Sequence, residues 1–405
     1  MSLDHLIHDW NEETRVETRP AHEFELNDET LRDGLQSPSV HTPTIEQKVE
    51  ILHLIDGLGI QAADIGLPGA GPHVLDDVVR LATEIAKHNM RVKPNCAART
   101  VRADINPIIE ASQRAGIPIQ ACTFIGSSPI RQYAEGWTID TLLRFTEEAV
   151  SYAVKNSLDV MFVTEDTTRA HPEDIRRLYQ TAIRAGARRV CLSDTVGHAT
   201  PEGAANLVRY IKTVIAETGE DVKIDWHGHN DRGLGVANAL SALVAGAHRI
   251  HGTAIGVGER VGNVPMDILM VNLKLKGWIS QDLRLLRDYC NKVSAYTSVP
   301  VPANYPVFGH DAFRTGTGVH AAAILKSLNK GDMELVDRVY SSVPAQMFGL
   351  EQLVEVGPMS GESNVIYWLT RHNIPPQDAL VKKIFRKAKE STTVLTDEEI
   401  LSLCN

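Results

Sequence analysis

Two histidines spaced two apart, His227 and His229, stand at the end of a short apolar run, in the stretch DWHGHND from Asp225 to Asp231. On a β-strand, residues i and i+2 point to one face, so both imidazoles aim at one point while Trp226 and Gly228 turn away. Two imidazoles held in this way make half of a divalent-metal site. A bare His-x-His pair reads equally well as two hydrogen-bonded histidines. A metal site therefore needs further ligands from elsewhere in the chain.

The elements that would carry such ligands follow a regular alternation. Apolar, strand-like runs occur at about 23–27, 60–66, 90–95, 116–125, 159–164, 188–193, 221–227 and 248–255. Between them lie the helix-like stretches Thr44–Leu58, His73–His88, Val101–Ala115, Thr138–Lys155, Pro172–Ala185, Pro201–Thr218, Leu234–Ala245 and Pro265–Gly277. Thr200-Pro201-Glu202 is a helix-start signal, with a capping hydroxyl and proline at the first helical position. Eight strands alternating with eight helices have the count and size of a (β/α)8 TIM barrel. A doubly wound sheet would usually show a glycine-rich phosphate turn after its first strand, and none stands there. In a barrel, chemistry gathers where strands end. Those positions carry ETLRDGLQ (29–36), TEDTTR (164–169), SDTVG (193–197), the histidine pair and GERVGN (258–263).

The whole chain has 405 residues, 43% hydrophobic and 23% charged, with a formal charge of -10. That balance is one of an ordinary globular protein and argues against nucleic acid or an anionic membrane as a partner. No apolar run is long enough to span a bilayer, and the polar N-terminus has no signal-peptide core. The five cysteines (Cys96, Cys122, Cys191, Cys290, Cys404) are scattered, without a Cys-x-x-Cys. The expected location is therefore a reducing, cytoplasmic one. The expected organisation is a lead-in over 1–22, a catalytic barrel over 23–280, and C-terminal helical subdomains over 281–405 that complete the site.

ETLRDGLQ, DTVG, HGHND and GERVGN, in this order and at these spacings, resemble the DRE-TIM metallolyase superfamily. Within it the chain is similar to the acetyl-CoA-dependent Claisen condensing enzymes, the 2-isopropylmalate, homocitrate and citramalate synthases. The resemblance covers about residues 23–278 strongly and continues more weakly to about 370. It implies a divalent metal (Mg, Mn or Zn) held by Asp33, His227 and His229, with Asn263 as a ligand or beside it. One carboxylate and two imidazoles also leave open positions, where a 2-oxo acid can chelate. Arg32 would stabilise negative charge on the substrate oxygen; its plainer reading is an ion pair with Asp33 or Glu165. Thr195 and Gln36 match substrate-pocket residues, and Glu165 is a catalytic candidate. The segment FGHDAFRTGTGVHAAAILK (308–326) resembles the synthase segment whose histidine serves as base, which would make His320 the group that takes a proton from acetyl-CoA, with Glu259 orienting it; His310 competes for that role. VYSSVPAQMFG adds Tyr340. Because that segment reaches a neighbouring barrel in the family, a homodimer is implied.

The departures concern the substrate. Asp64 stands where the synthases commonly carry Glu, Cys122 where many carry His, and DGLQ, as in the 3-hydroxy-3-methylglutaryl-CoA lyases, where most synthases have DGEQ. Those lyases carry a catalytic cysteine after strand 8, whereas GTAIGVGERVGNV has none, so a synthase is expected. Two histidines and a carboxylate also suit a non-haem iron oxygenase, and a non-catalytic scaffold is the remaining alternative. The commonest synthase, 2-isopropylmalate synthase of leucine biosynthesis, is the first choice, ahead of homocitrate and citramalate synthases. After residue 370 a basic helix and a short helix from near Thr396 are expected, with no leucine-binding regulatory domain.

Overall fold

The computed structural model describes residues 3–12 and 19–404; part of the expected lead-in (1, 2 and 13–18) lies outside them. The contacts divide the chain into two units, Val16–Pro300 and Val301–Asn405 with Met1–Arg15. The helix at Leu286–Thr297 therefore belongs to the barrel unit, although its sequence lies beyond the expected boundary at 280.

The first unit is a closed eight-stranded parallel barrel in sequential order: β1 (Glu25–Asp28), β2 (Ala62–Asp64), β3 (Lys93–Arg99), β4 (Gln120–Gly126), β5 (Val160–Glu165), β6 (Arg189–Asp194), β7 (Lys223–Gly228) and β8 (Arg249–Gly252). Closure is made by β8 against β1, with Glu25 beside Arg249 and Asn27 beside His251. Each strand overlaps the apolar run assigned to it. Around them pack α1 (Ile45–Gly57), α2 (Pro72–His88), α3 (Arg102–Ala115), α4 (Pro129–Glu135), α5 (Ile139–Lys155), α6 (Pro172–Arg184), α7 (Pro201–Ala216), α8 (Gly235–Ala245), α9 (Met266–Leu275) and α10 (Leu286–Thr297). The short α4 was not expected. Its start, Ser128-Pro129, nevertheless pairs a capping serine, which accepts from Arg131 N, with proline at the first turn.

Local chemistry explains the helix limits. Thr44 and Gln47 form a reciprocal capping box on α1, and α2 ends on Asn89 in the left-handed conformation. Helix α6 buries Ile175, Leu178, Tyr179, Ala182 and Ile183 on one face, the apolar stripe that a barrel-covering helix must hide. Trp226, on the outward side of β7, is fully buried in that helix–sheet layer.

Inside the barrel the layers differ in chemistry. At the strand starts, Glu25, Gln120, Arg189, Asp225 and Arg249 form an ion-paired plug. Above it Cys122, Met161 and Cys191 form an apolar cluster with Val163 against it. The catalytic candidates of the barrel come last, where the strands end.

In the second unit, α11 (Gly318–Asn329), α12 (Met333–Arg338), α13 (Glu362–Arg371), α14 (Asp378–Glu390) and α15 (Asp397–Cys404) accompany a two-stranded parallel pair, β9 (Arg314–Thr315) with β10 (Leu353–Val354). One core joins Ala321, Ile324, Val336, Val354 and Tyr367; another gathers Val356, Trp368, Val381 and Ile384. Among the described residues no helix is long and apolar enough to cross a membrane.

Candidate metal centre

The alternation of β7 carries His227 inward, and the chain just past its end brings His229 to the same side, with ring centroids 5.2 Å apart. A backbone bridge between His229 and Asn263 holds that extension. The turn through Gly262 allows it: its φ is +91°, and a Cβ there would meet the Gly256 carbonyl at 1.7 Å, so only glycine fits. Asp33 arrives from a short 3-10 turn after β1. Its Oδ2 lies 3.9 Å from His227 Nε2 and 3.8 Å from His229 Nε2.

That Oδ2 is buried without a hydrogen-bond partner, while Oδ1 accepts from Arg32 at 2.6 Å. A buried, unpartnered carboxylate oxygen is costly. Ligand atoms around one ion at bond lengths near 2.1 Å are separated by roughly 3–3.5 Å, so a slight contraction of this trio would close on a cation. Asn263 donates its Nδ2 to Val257 O at 3.1 Å, which leaves its buried Oδ1 without a partner as well. The residues present fit a divalent ion.

A cavity of about 170 Å³ opens on this trio and is lined by Arg32, Gln36, Asp64, Cys122, Glu165, Thr195 and Glu259, among others. The structure thus brings together every barrel residue singled out in the sequence, with Asn263 alongside. The larger hollow, about 1030 Å³, surrounds the strand starts near Glu25, Arg189 and Lys223, the end of a barrel that serves stability. Arg32 pairs with Asp64 at 2.7 Å, Asp33 at 2.6 Å and Glu29 at 3.4 Å; its ionic partners are these, not Glu165. Burial raises the Asp64 carboxyl to about 6 against the pull of Arg32. Burial would raise Asp33 too, but Arg32 and His227 outweigh it and hold the group below the ordinary range. Glu165 is raised, chiefly by burial. Thr195 Oγ1 accepts from Asp166 N at 2.8 Å, which fixes the hydroxyl at the rim. Five lining carboxylates (Glu29, Asp33, Asp64, Glu165, Glu259) surround one guanidinium, Arg32, a field that favours a cation.

The HMGL-like family profile matches residues 23–292. The chain belongs to the HMGL-like family. Among curated relatives of this HMGL-like chain, homocitrate synthase AksA of Methanopyrus kandleri is 33% identical over 89% of this chain and 86% of its own length. The 2-isopropylmalate synthase of Pyrococcus furiosus is 31% identical over 91% of this chain and 72% of its own. A putative (R)-citramalate synthase, CimA of Methanopyrus kandleri, is 30% identical over 93% and 70%. Among solved structures, the HMG-CoA lyase of Bacillus subtilis superposes with a TM-score of 0.58 at 19% identity, covering 71% of this chain and 97% of that one; this likeness concerns the fold.

Three features of the site have no role assigned by the motifs, although Glu29 opens the ETLRDGLQ motif. Glu29 and His251 sit behind His227, and the apolar wall includes Ala97, Phe124, Met161 and Val163. Strand parity could have found them, since 25, 27 and 29 share a face of β1 and its continuation, and 161, 163 and 165 share one of β5. His320 and Tyr340 lie in the second unit, stacked with centroids 3.9 Å apart. His310 contacts Asp311 and Arg314.

Proposed function

We propose that the chain condenses acetyl-CoA with a 2-oxo acid bearing an apolar side chain, giving a 2-alkylmalate and CoA, as in a 2-isopropylmalate synthase. It is a metal-dependent condensing enzyme of its family. The observation that carries the substrate reading is the wall beside Asp33, His227 and His229, made of Ala97, Cys122, Phe124, Met161, Val163 and Cys191. Arg32, the one lysine or arginine among the lining residues, is already engaged by three carboxylates. A distal carboxylate, as on 2-oxoglutarate, would be desolvated there without a partner. The homocitrate names among the relatives would instead favour that acid.

Asp33, His227 and His229 would hold the divalent ion, with Asn263 beside them. When bound it acts as a Lewis acid that polarises the carbonyl of the 2-oxo acid. Arg32 offsets negative charge on that oxygen, and Thr195 binds the substrate carboxylate, with Gln36 and Asp64 shaping the pocket. His320 takes a methyl proton of acetyl-CoA, with Glu259 and Tyr340 assisting. The resulting carbanion forms the new carbon–carbon bond, Glu165 supplies a proton to the oxygen of the former carbonyl, and water cleaves the thioester to release CoA. A homodimer belongs to this reading.

The test is CoA release from acetyl-CoA with a panel of 2-oxo acids, with and without chelator. Turnover with 2-oxoisovalerate or a larger apolar acid, abolished by chelator and restored by Mn²⁺ or Mg²⁺, is expected. Turnover confined to 2-oxoglutarate would overturn the substrate assignment. No turnover with any acid would overturn the reaction, and chelator-sensitive oxygen uptake or mere binding would point to the alternatives.

A further inference from the structure

Behind the two imidazoles a line of buried charge runs down the barrel. Glu29 Oε2 lies 2.7 Å from His227 Nδ1, and Oε1 lies 2.9 Å from His251 Nδ1. On its other side His251 places Nε2 3.0 Å from Asp225 Oδ2. That oxygen also accepts from Arg249 Nε at 2.7 Å, and Oδ1 accepts from Arg189 at 2.5 Å. Glu29, Asp225, Arg249 and His251 are each at most 3% exposed, so water does not screen these contacts.

We infer that His251 is a positioning residue for the metal centre: braced by Asp225, it holds Glu29 against His227 Nδ1 and so fixes which nitrogen of His227 faces Asp33. With the Glu29 carboxylate 2.7 Å from Nδ1, neutral His227 favours its proton on that nitrogen and keeps the Nε2 lone pair toward Asp33 and His229. An imidazole backed by a carboxylate is also the more basic ligand. His229 differs: its ion-pair contact is through Nε2, to Asp33, and among the described residues no carboxylate stands against its Nδ1. Glu29, His227 and His251 also lie close enough to hold an ion of their own. Sharing His227 with the first site would require that ring to lose both its protons, which makes the positioning arrangement the simpler one. Charges alternate along the line from Glu29 through His251 and Asp225 to Arg249 and Arg189, so removing any one leaves a buried neighbour uncompensated.

The inference rests on the proposed metal role of Asp33, His227 and His229, and the experiment separates the two. The full chain and its His251→Asn and Glu29→Gln variants are stripped of metal and titrated with Mn²⁺ by calorimetry. Each variant should bind Mn²⁺ about 10- to 100-fold more weakly. Nitrogen-15 spectra of the metal-free chain should show His227 as a single Nδ1–H tautomer that becomes mixed in the variants. A folded His251→Asn chain with unchanged Mn²⁺ affinity and an unchanged tautomer overturns the inference. If that variant does not fold, Glu29→Gln decides: unchanged affinity there overturns it. Unchanged affinity in His227→Asn as well removes the metal reading itself, and this inference with it.

Discussion

Asp33 divides its work between its two oxygens. Oδ1 is bound by Arg32, and Oδ2 is left facing two imidazoles with no hydrogen-bond partner. Asp33→Asn keeps the shape but lowers the charge, and the amide is a far poorer ligand for a hard cation. Mn²⁺ affinity should fall by at least about 100-fold and CoA release should vanish; retention of either in a folded variant contradicts the assignment. His229 supplies a second residue-level prediction. Burial and the nearby His227 lower its pKa from 6.5 to about 4. In metal-free protein the unfolded chain therefore binds more protons at this position between pH 6.5 and 4, so stability is lost as pH falls through that window. His229→Asn should flatten the fall in Tm of the metal-free chain between pH 6.5 and 4.5. An unchanged slope would show that the ring titrates normally.

At the scale of elements, strands β3 to β6 decide what fits beside the trio, because their inward residues form the apolar wall. Ala97 on β3 is its smallest member. Ala97→Leu should lower kcat/KM for 2-oxoisovalerate relative to pyruvate by about tenfold or more, the usual reach of filled apolar volume. A parallel loss for both acids would place Ala97 away from the substrate side chain. The helices carry a different load. Thr44 accepts from Gln47 N at 3.3 Å while Gln47 returns a bond to Thr44 N at 2.9 Å. Thr44→Ala should cost about 1 kcal/mol, read as a lower urea midpoint with unchanged m, and leave turnover intact.

At the scale of the whole molecule, all the proposed metal ligands lie in the Val16–Pro300 unit and His320 in the other. Metal binding and proton abstraction should therefore separate under mutation. His320→Ala should bind Mn²⁺ as the unsubstituted chain does, while CoA release falls by about 100-fold or more. Full turnover in that variant would assign the base elsewhere.

The sequence by itself determined the barrel, because eight apolar runs at helix-crossing intervals have few other ways to bury themselves. It also brought the strand-end motifs to one rim, since parallel strands all end on the same side. Parity along β7 was enough to turn His227 and His229 together. It did not reveal α4, whose seven residues carry too little periodicity to stand out from a loop, nor that residues 281–300 join the barrel through α10. Only the tertiary structure decided that Arg32 serves Asp64, Asp33 and Glu29 rather than Glu165. Only there does Glu29 meet His251, because residues 222 positions apart become neighbours when β8 closes on β1. The motifs record what each strand end offers; closure of the barrel decides which buried charges face one another.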